Sequence, residues 1–166
     1  GEWKTAIKNM QQGGVDIVAT YVFWIHHEEA EGEWDFSGRR NLKAFLSCCQ
    51  EAGMKVWLRI GPWAHGECRN GGFPDWLVEK EKRGKLSLRT DDPQYLKYVD
   101  LFFTKIAEQA DGYMHKDDGP VIGIQIENEY GHAGGPSDRE EGMAHMHWPG
   151  RLEELLPGVY VDGAHN

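Results

Sequence analysis

The run Gly119-Pro120-Val121-Ile122-Gly123-Ile124-Gln125-Ile126-Glu127-Asn128-Glu129-Tyr130-Gly131 constrains the fold more than any other part of this chain. Extended, it puts Ile122, Ile124 and Ile126 on one face and Gly123, Gln125 and Glu127 on the other, a pattern unlike that of a half-solvated strand. A Gly-Pro pair precedes it and a glycine-rich loop (Gly131, Gly134, Gly135, Pro136) follows. It ends in Glu-Asn-Glu, and the C-terminal ends of strands are where α/β sheets gather their chemistry.

The remaining segments alternate in type. Trp3, Ala6, Ile7 and Met10 recur at helical spacing and stop at Gly13-Gly14. Residues 15–24 (VDIVATYVFW) read as a buried strand that delivers Tyr21, Trp24, His26 and His27 at its end. Leu42, Phe45, Leu46 and Cys49 mark the apolar face of a helix closed by Gly53. A second strand over 55–64 sets Val56, Leu58 and Ile60 against Trp57, Arg59 and Gly61. The loop that follows (PWAHGECRNGGFPDW, 62–76) carries His65, Glu67, Arg69 and Asn70, and a loop of that length is more often functional than not. Asp92-Pro93 starts a helix whose buried stripe is Val99, Phe102, Phe103, Ile106 and Ala110. Beyond the glycine-rich loop, a helix is expected over 140–156, interrupted at Trp148-Pro149-Gly150, and then a short strand at Val159-Tyr160-Val161.

Alternating strands and helices with near-continuous apolar strands indicate parallel strands joined by crossover helices. No glycine-rich phosphate loop follows a strand, which removes support for nucleotide binding. Inward polar residues (Arg59, Gln125, Glu127) favour a barrel, whose interior pairs them; Glu127 is expected to pair with Arg59. A full eight-stranded barrel takes roughly 250 residues, and 166 residues hold three strands, or four with the last. The expectation is α/β, a portion of a (β/α)₈ TIM barrel covering about strands 2 to 4 or 5.

A net charge of −9 without a Lys/Arg stripe argues against nucleic acid and anionic membrane, and no apolar run is long enough to span a bilayer. Cys48, Cys49 and Cys68 have neither disulfide nor zinc spacing and read as core filling. The cluster His26-His27-Glu28-Glu29 lacks the His-Glu-x-x-His pattern of a zinc helix, and His65-Gly66-Glu67 lacks the Pro-Cys-x-x-Cys that a zinc deaminase needs. No metal and no cofactor are expected. The charged run at 79–83 reads as a solvated face.

Three blocks, in order, carry a resemblance: Thr20-Tyr21-Val22-Phe23-Trp24 with His27-Glu28; Arg59-Ile60-Gly61-Pro62-Trp63 through Glu67 to Gly71-Gly72-Phe73-Pro74-Asp75-Trp76-Leu77; and 119–131. With them the chain resembles the β-galactosidases of glycoside hydrolase family 35 over roughly residues 1–135, with residues 142–166 left unassigned. The resemblance implies a partial catalytic TIM-barrel domain over 1–166. It implies a retaining exo-hydrolase of terminal non-reducing β-D-galactose, a galactoside or oligosaccharide as substrate, and no nucleic-acid or membrane partner. Residue by residue, Glu129 resembles the general acid/base and Asn128 its neighbour at the sugar 2-hydroxyl. Tyr21 and Glu67 resemble sugar-hydroxyl ligands, and Ala64 to Gly66 resemble the stretch that supplies backbone contacts. Two positions depart from the family pattern: Asp118-Gly119-Pro120 stands for Gly-Gly-Pro, and Ile25 follows Trp24 where Asn is common.

A retaining hydrolase needs a second carboxylate about 5–5.5 Å from the first. The family places it after the seventh strand, so the nucleophile is expected outside this chain, and the fragment alone is expected to be inactive. Two other functions stay open, a related β-glycosidase of different sugar specificity and a non-catalytic sugar-binding remnant. Trp24, Trp63 and Trp76 read equally as sugar platforms or as core. A soluble protein is expected, its parent secreted, periplasmic or lysosome-like; its oligomeric state is left open.

Overall fold

The computed structural model describes residues 2–65, 67–129, 153–156 and 159–161. In chain order the elements are α1 (Glu2–Gln12), β1 (Ile17–Tyr21), α2 (Trp24–His27), α3 (Leu42–Ala52), β2 (Lys55–Gly61), α4 (Asp75–Lys82), α5 (Pro93–Ala110), β3 (Val121–Ile126), β4 (Glu153–Leu156) and β5 (Val159–Val161). Among the described residues the strands form one sheet in the order β1-β2-β3-β5-β4.

The first three strands are parallel neighbours, as their apolar patterns require. Val56, Leu58 and Ile60 on β2 enter the core with Leu46 and Cys49 of α3 and Phe102 and Ile106 of α5. The opposite face carries the row Ala19, Trp57, Gly123 and, one step toward the C-terminal edge, the row Tyr21, Arg59, Gln125. Gly123 is a glycine because Trp57 occupies its side-chain space; a Cβ there would lie 2.3 Å from the indole.

The helices form where local chemistry allows. Asn41 caps α3 by accepting from the Ala44 amide at 2.8 Å, and Gly53 closes the helix at φ 72°. Asp92 caps α5 by accepting from the Gln94 and Tyr95 amides, with Pro93 in the first turn. Inside α5, Tyr95, Val99, Phe102, Ile106 and Ala110 are buried. Cys49 lies fully in the core, where burial pushes its thiol up to about 11. Cys48 and Cys68 are half-buried, and all three are free thiols.

Three expectations are corrected. The strand read over 15–24 ends at Tyr21, and Trp24–His27 is a helical turn. That turn is required because the fully buried Trp24 indole donates to Glu28 Oε2 at 2.7 Å, four residues on. The loop read as unbroken to residue 76 gives way at Asp75 to α4, which buries Leu77 and holds Asp75 in its first turn and Lys80 and Lys82 in its last. Third, 153–156 is strand β4 rather than the end of a helix, Pro157 disfavouring helical geometry at Leu156. It runs antiparallel to β5, and β5 lies parallel to β3 at Ile124, so the sheet is mixed. The rest of the expected helix lies outside the described residues; the strand expected at Val159–Val161 is β5.

Two predictions follow from the packing and the caps. Gly123→Ala is expected to lower stability by about 1–3 kcal/mol through overpacking against Trp57, with Trp57→Leu in the same chain recovering most of the loss in urea unfolding. A parent-like midpoint for Gly123→Ala alone would contradict the packing. The Asp92 carboxyl is held below the ordinary 3.8 by the Gln94 amide and, after it, those of Ser87 and Tyr95, with burial opposing. Its stabilisation is therefore present above pH 3.8 and is lost as pH falls through the lower folded value. Asp92→Asn keeps a capping oxygen without that titration, so its acid limb of melting temperature against pH should be shallower than the parent's.

Candidate active site

The C-terminal edge of the three parallel strands brings Tyr21, Arg59 and Gln125 into one cross-strand row. A guanidinium on the inner face of a sheet needs acceptors, and Arg59 finds two: it donates from Nη1 to the Tyr21 hydroxyl and from Nη2 to Asn128 Oδ1. Its Cζ lies 4.1 Å from the Tyr21 ring centroid, and the ring stacks on Phe23 at 5.0 Å. Its buried Nε has no partner among the described residues.

Asn128 joins this row because the strand stops before it. Glu127 closes the ladder by donating its amide to the Gly61 carbonyl at 2.7 Å, then turns left-handed at φ 62°; Glu129 is left-handed again at φ 47°. Simple alternation would have sent Asn128 to the helix side. The turn returns it to the inner side, where Gln125 Nε2 donates to Asn128 Oδ1 at 3.1 Å and to the Glu127 carbonyl at 3.0 Å. Gln125 and Asn128 are both buried. With Oδ1 accepting from Arg59 and from Gln125, the amide orientation of Asn128 is settled, and Nδ2 is its remaining donor.

The expected pairing of Glu127 with Arg59 is not found. Glu127 pairs with Arg89, whose Nε and Nη2 lie 3.1 and 2.8 Å from Glu127 Oε2. The same carboxylate accepts from the main-chain amides of Asn128 and Trp63. Burial pushes the Glu127 carboxyl above the usual glutamate value, and the Arg89 guanidinium pulls against it. Arg89 was not singled out from the sequence. It lies in an unpatterned stretch between α4 and α5, and the one pointer to it was the need of a buried carboxylate for a cation.

The tryptophans are resolved by their contacts. Trp24 is core, stacked on Phe102 at 4.7 Å. Trp76 packs edge-on against Trp24 and donates its indole to the Glu28 carbonyl. Trp63 lies over Gly71, where a Cβ would meet the ring at 2.0 Å, with the Arg89 guanidinium 4.8 Å from the ring centroid. Ala64 is buried, its amide donating to the Gly71 carbonyl at 2.8 Å. Glu67 is exposed at φ 55° on the loop after β2, and no described hydrogen bond or ion pair joins it to Tyr21, Arg59 or Asn128. Glu129 is half-buried at the end of the turn. His27 faces the Asp35 carbonyl at 3.0 Å and stacks on Phe36, its imidazole held low by burial. Among the described residues no set of three His, Cys, Asp or Glu could hold a metal.

The site thus combines an oriented amide, a carboxylate on a strained turn and a buried cation, all at the C-terminal edge of parallel strands. A family model described as Glycosyl hydrolases family 35 matches residues 1–149. The chain belongs to that family. Among curated relatives, "Beta-galactosidase" of Bos taurus is 37% identical over 129 residues, covering 78% of this chain and 19% of the relative. "Beta-galactosidase 11" of Arabidopsis thaliana is 37% identical over 158 residues, covering 93% of this chain and 18% of the relative. The chain therefore spans less than a fifth of the length of these curated relatives. Among solved structures, a beta-glucosidase from Exiguobacterium marinum superposes at a TM-score of 0.55 and 19% identity, over 77% of this chain and 24% of that one. A beta-glucosidase from Exiguobacterium antarcticum does so at 0.55 and 20%. Both belong to TIM-barrel glycosidases, and at that identity the likeness is one of fold. No helix among the described residues is long and apolar enough to cross a membrane.

Tyr21→Phe removes one acceptor of Arg59 and leaves a second guanidinium nitrogen unpaired. The expected cost is about 1–3 kcal/mol in chemical unfolding, and Arg59→Met combined with Tyr21→Phe should cost less than the sum of the two single changes. Strict additivity would mean that the two side chains are not coupled.

Proposed function

We propose that this chain supplies the acid/base half of a retaining exo-β-galactosidase site, on a portion of a (β/α)₈ barrel. In this reading Glu129 protonates the glycosidic oxygen as the leaving group departs, then draws a proton from the attacking water in the second step. Asn128 donates from Nδ2 to the sugar 2-hydroxyl. Tyr21 and Glu67 bind further hydroxyls, the Ala64 carbonyl adds a main-chain acceptor, and the nucleophilic carboxylate comes from outside these 166 residues.

The observation that carries the reading is the orientation of Asn128. An asparagine whose Oδ1 is held by Arg59 and Gln125 presents a fixed N–H donor at the residue before Glu129. Contacts to the 2-hydroxyl that strengthen as the oxocarbenium-like transition state forms need such a fixed donor. The Tyr21 hydroxyl, which accepts from Arg59, keeps its own hydrogen for donation to a second hydroxyl. Support for galactose as the sugar comes from the names of the curated relatives, whereas the resemblance to beta-glucosidases concerns fold.

In a catalytically competent protein that carries these residues, Glu129→Gln should lower kcat/KM on an alkyl β-galactoside by about 10²–10⁴-fold. Its effect on an activated aryl β-galactoside should be far smaller, because that leaving group departs with little protonation. Equal losses on both would remove Glu129 from the acid role. Faster turnover of aryl β-glucosides than of aryl β-galactosides in the parent would replace galactose by another sugar. Binding of galactose with no turnover of any aryl glycoside would leave a sugar-binding protein.

A further inference from the structure

Two left-handed residues flank Asn128, Glu127 at φ 62° and Glu129 at φ 47°. Each is a conformation that an L-residue avoids, so the turn persists because its surroundings hold it. The groups that hold it converge on one guanidinium. Arg89 reaches in from the segment between α4 and α5 with its side chain 4% exposed and donates twice to the Glu127 carboxylate. Its Nη2 also donates to the Asn128 carbonyl at 3.2 Å, the oxygen of the peptide that leads into Glu129. The Glu127 carboxylate in turn accepts from the Asn128 amide, so both ends of Asn128 are tied to the same ion pair. The Trp63 ring covers the guanidinium, and the Trp63 amide donates to the same carboxylate.

We infer that Arg89 is a positioning residue for the acid/base. By holding the Glu127 carboxylate and the Asn128 carbonyl together, it fixes the plane of the Asn128–Glu129 peptide and hence the direction in which the Glu129 carboxyl leaves the turn. The inference rests on the acid/base role proposed for Glu129. A buried ion pair is a poor source of net stability, because desolvation of both groups offsets most of their attraction. What it supplies here is geometry: a fork of fixed shape engages a side chain and a main-chain oxygen together. A lysine keeps the charge and loses the fork.

The test is a double-mutant cycle in a competent protein carrying these residues. Arg89→Lys should lower kcat on an alkyl β-galactoside by about 10–10²-fold, the scale of a small misplacement of a catalytic group, while KM stays within about twofold. The loss should shrink on an activated aryl galactoside and nearly vanish in a Glu129→Gln background, because Arg89 acts through Glu129. An equal fold-loss in both backgrounds would overturn the inference, as would an Arg89→Lys protein with parent kcat and only a lower melting temperature. A second measurement does not depend on activity. In Arg89→Lys and in Glu127→Gln, the amide resonances of Asn128 and Glu129 should shift more than that of Ile122 on the same strand. Unmoved Asn128 and Glu129 amides would overturn the inference even if Glu129 had another role. A Glu129→Gln protein that shows no dependence on leaving group, together with shifted amides, would locate the fault in the acid/base assignment instead.

Discussion

A polypeptide leaving a β-strand continues its alternation unless something makes another path cheaper, and at Glu127 that something is a buried cation. The Glu127 carboxylate gathers the Arg89 fork and the main-chain amides of Trp63 and Asn128, four N–H donors drawn from three separate stretches of chain. Satisfying a buried carboxylate to this degree compensates for a backbone that an L-residue otherwise avoids. The consequence reaches further than the turn. Only because the chain swings at φ 62° does Asn128 come back to the inner face, and only there does it meet Arg59 and Gln125.

The inner face repeats one theme at two levels. In the deeper row a large ring lies over a glycine, Trp57 on Gly123; after β2, Trp63 lies over Gly71 in the same way. In both cases a missing Cβ sets how closely an indole approaches the backbone. Between them Arg59 joins β1, β2 and the end of β3 through Tyr21 and Asn128. One buried guanidinium, Arg89, and one half-buried, Arg59, therefore lie beneath the site of a protein whose net charge is −9. Each has a different task, one orienting side chains and the other fixing main chain.

The helix side supports this edge through aromatic packing. Trp24, at the first turn beyond β1, stacks on Phe102 of α5 and meets Trp76 of α4 edge-on, so the loop after β1 and the helix after the long loop share one cluster. Glu28 completes it, accepting from the Trp24 indole and the Gly32 amide, its carboxyl held high by burial. The loops that follow β1 and β2 are thereby tied to the helical layer, and the residues proposed to bind sugar stand on anchored backbone.

Much of this architecture was legible in the sequence. Hydrophobic period and end signals located α1, α3, α5 and the three parallel strands, because Asn41, Gly53, Asp92 and Pro93 act on their own neighbours and alternating apolar residues bury one face whatever lies beyond. The motif 119–131 marked the edge where Asn128 and Glu129 stand. The partner of Glu127 was not legible. Arg59 and Arg89 are equally cationic, and parity chose Arg59, but parity ends where φ turns positive at Glu127. Trp24 likewise read as the end of a strand, since a bond from its indole to Glu28 exists only once a helical turn has formed around a core that α5 supplies. Sequence determined what depends on neighbours along the chain. Which of two distant cations neutralises a buried carboxylate was decided by tertiary structure, because desolvation and distance exist only once the chain has closed on itself.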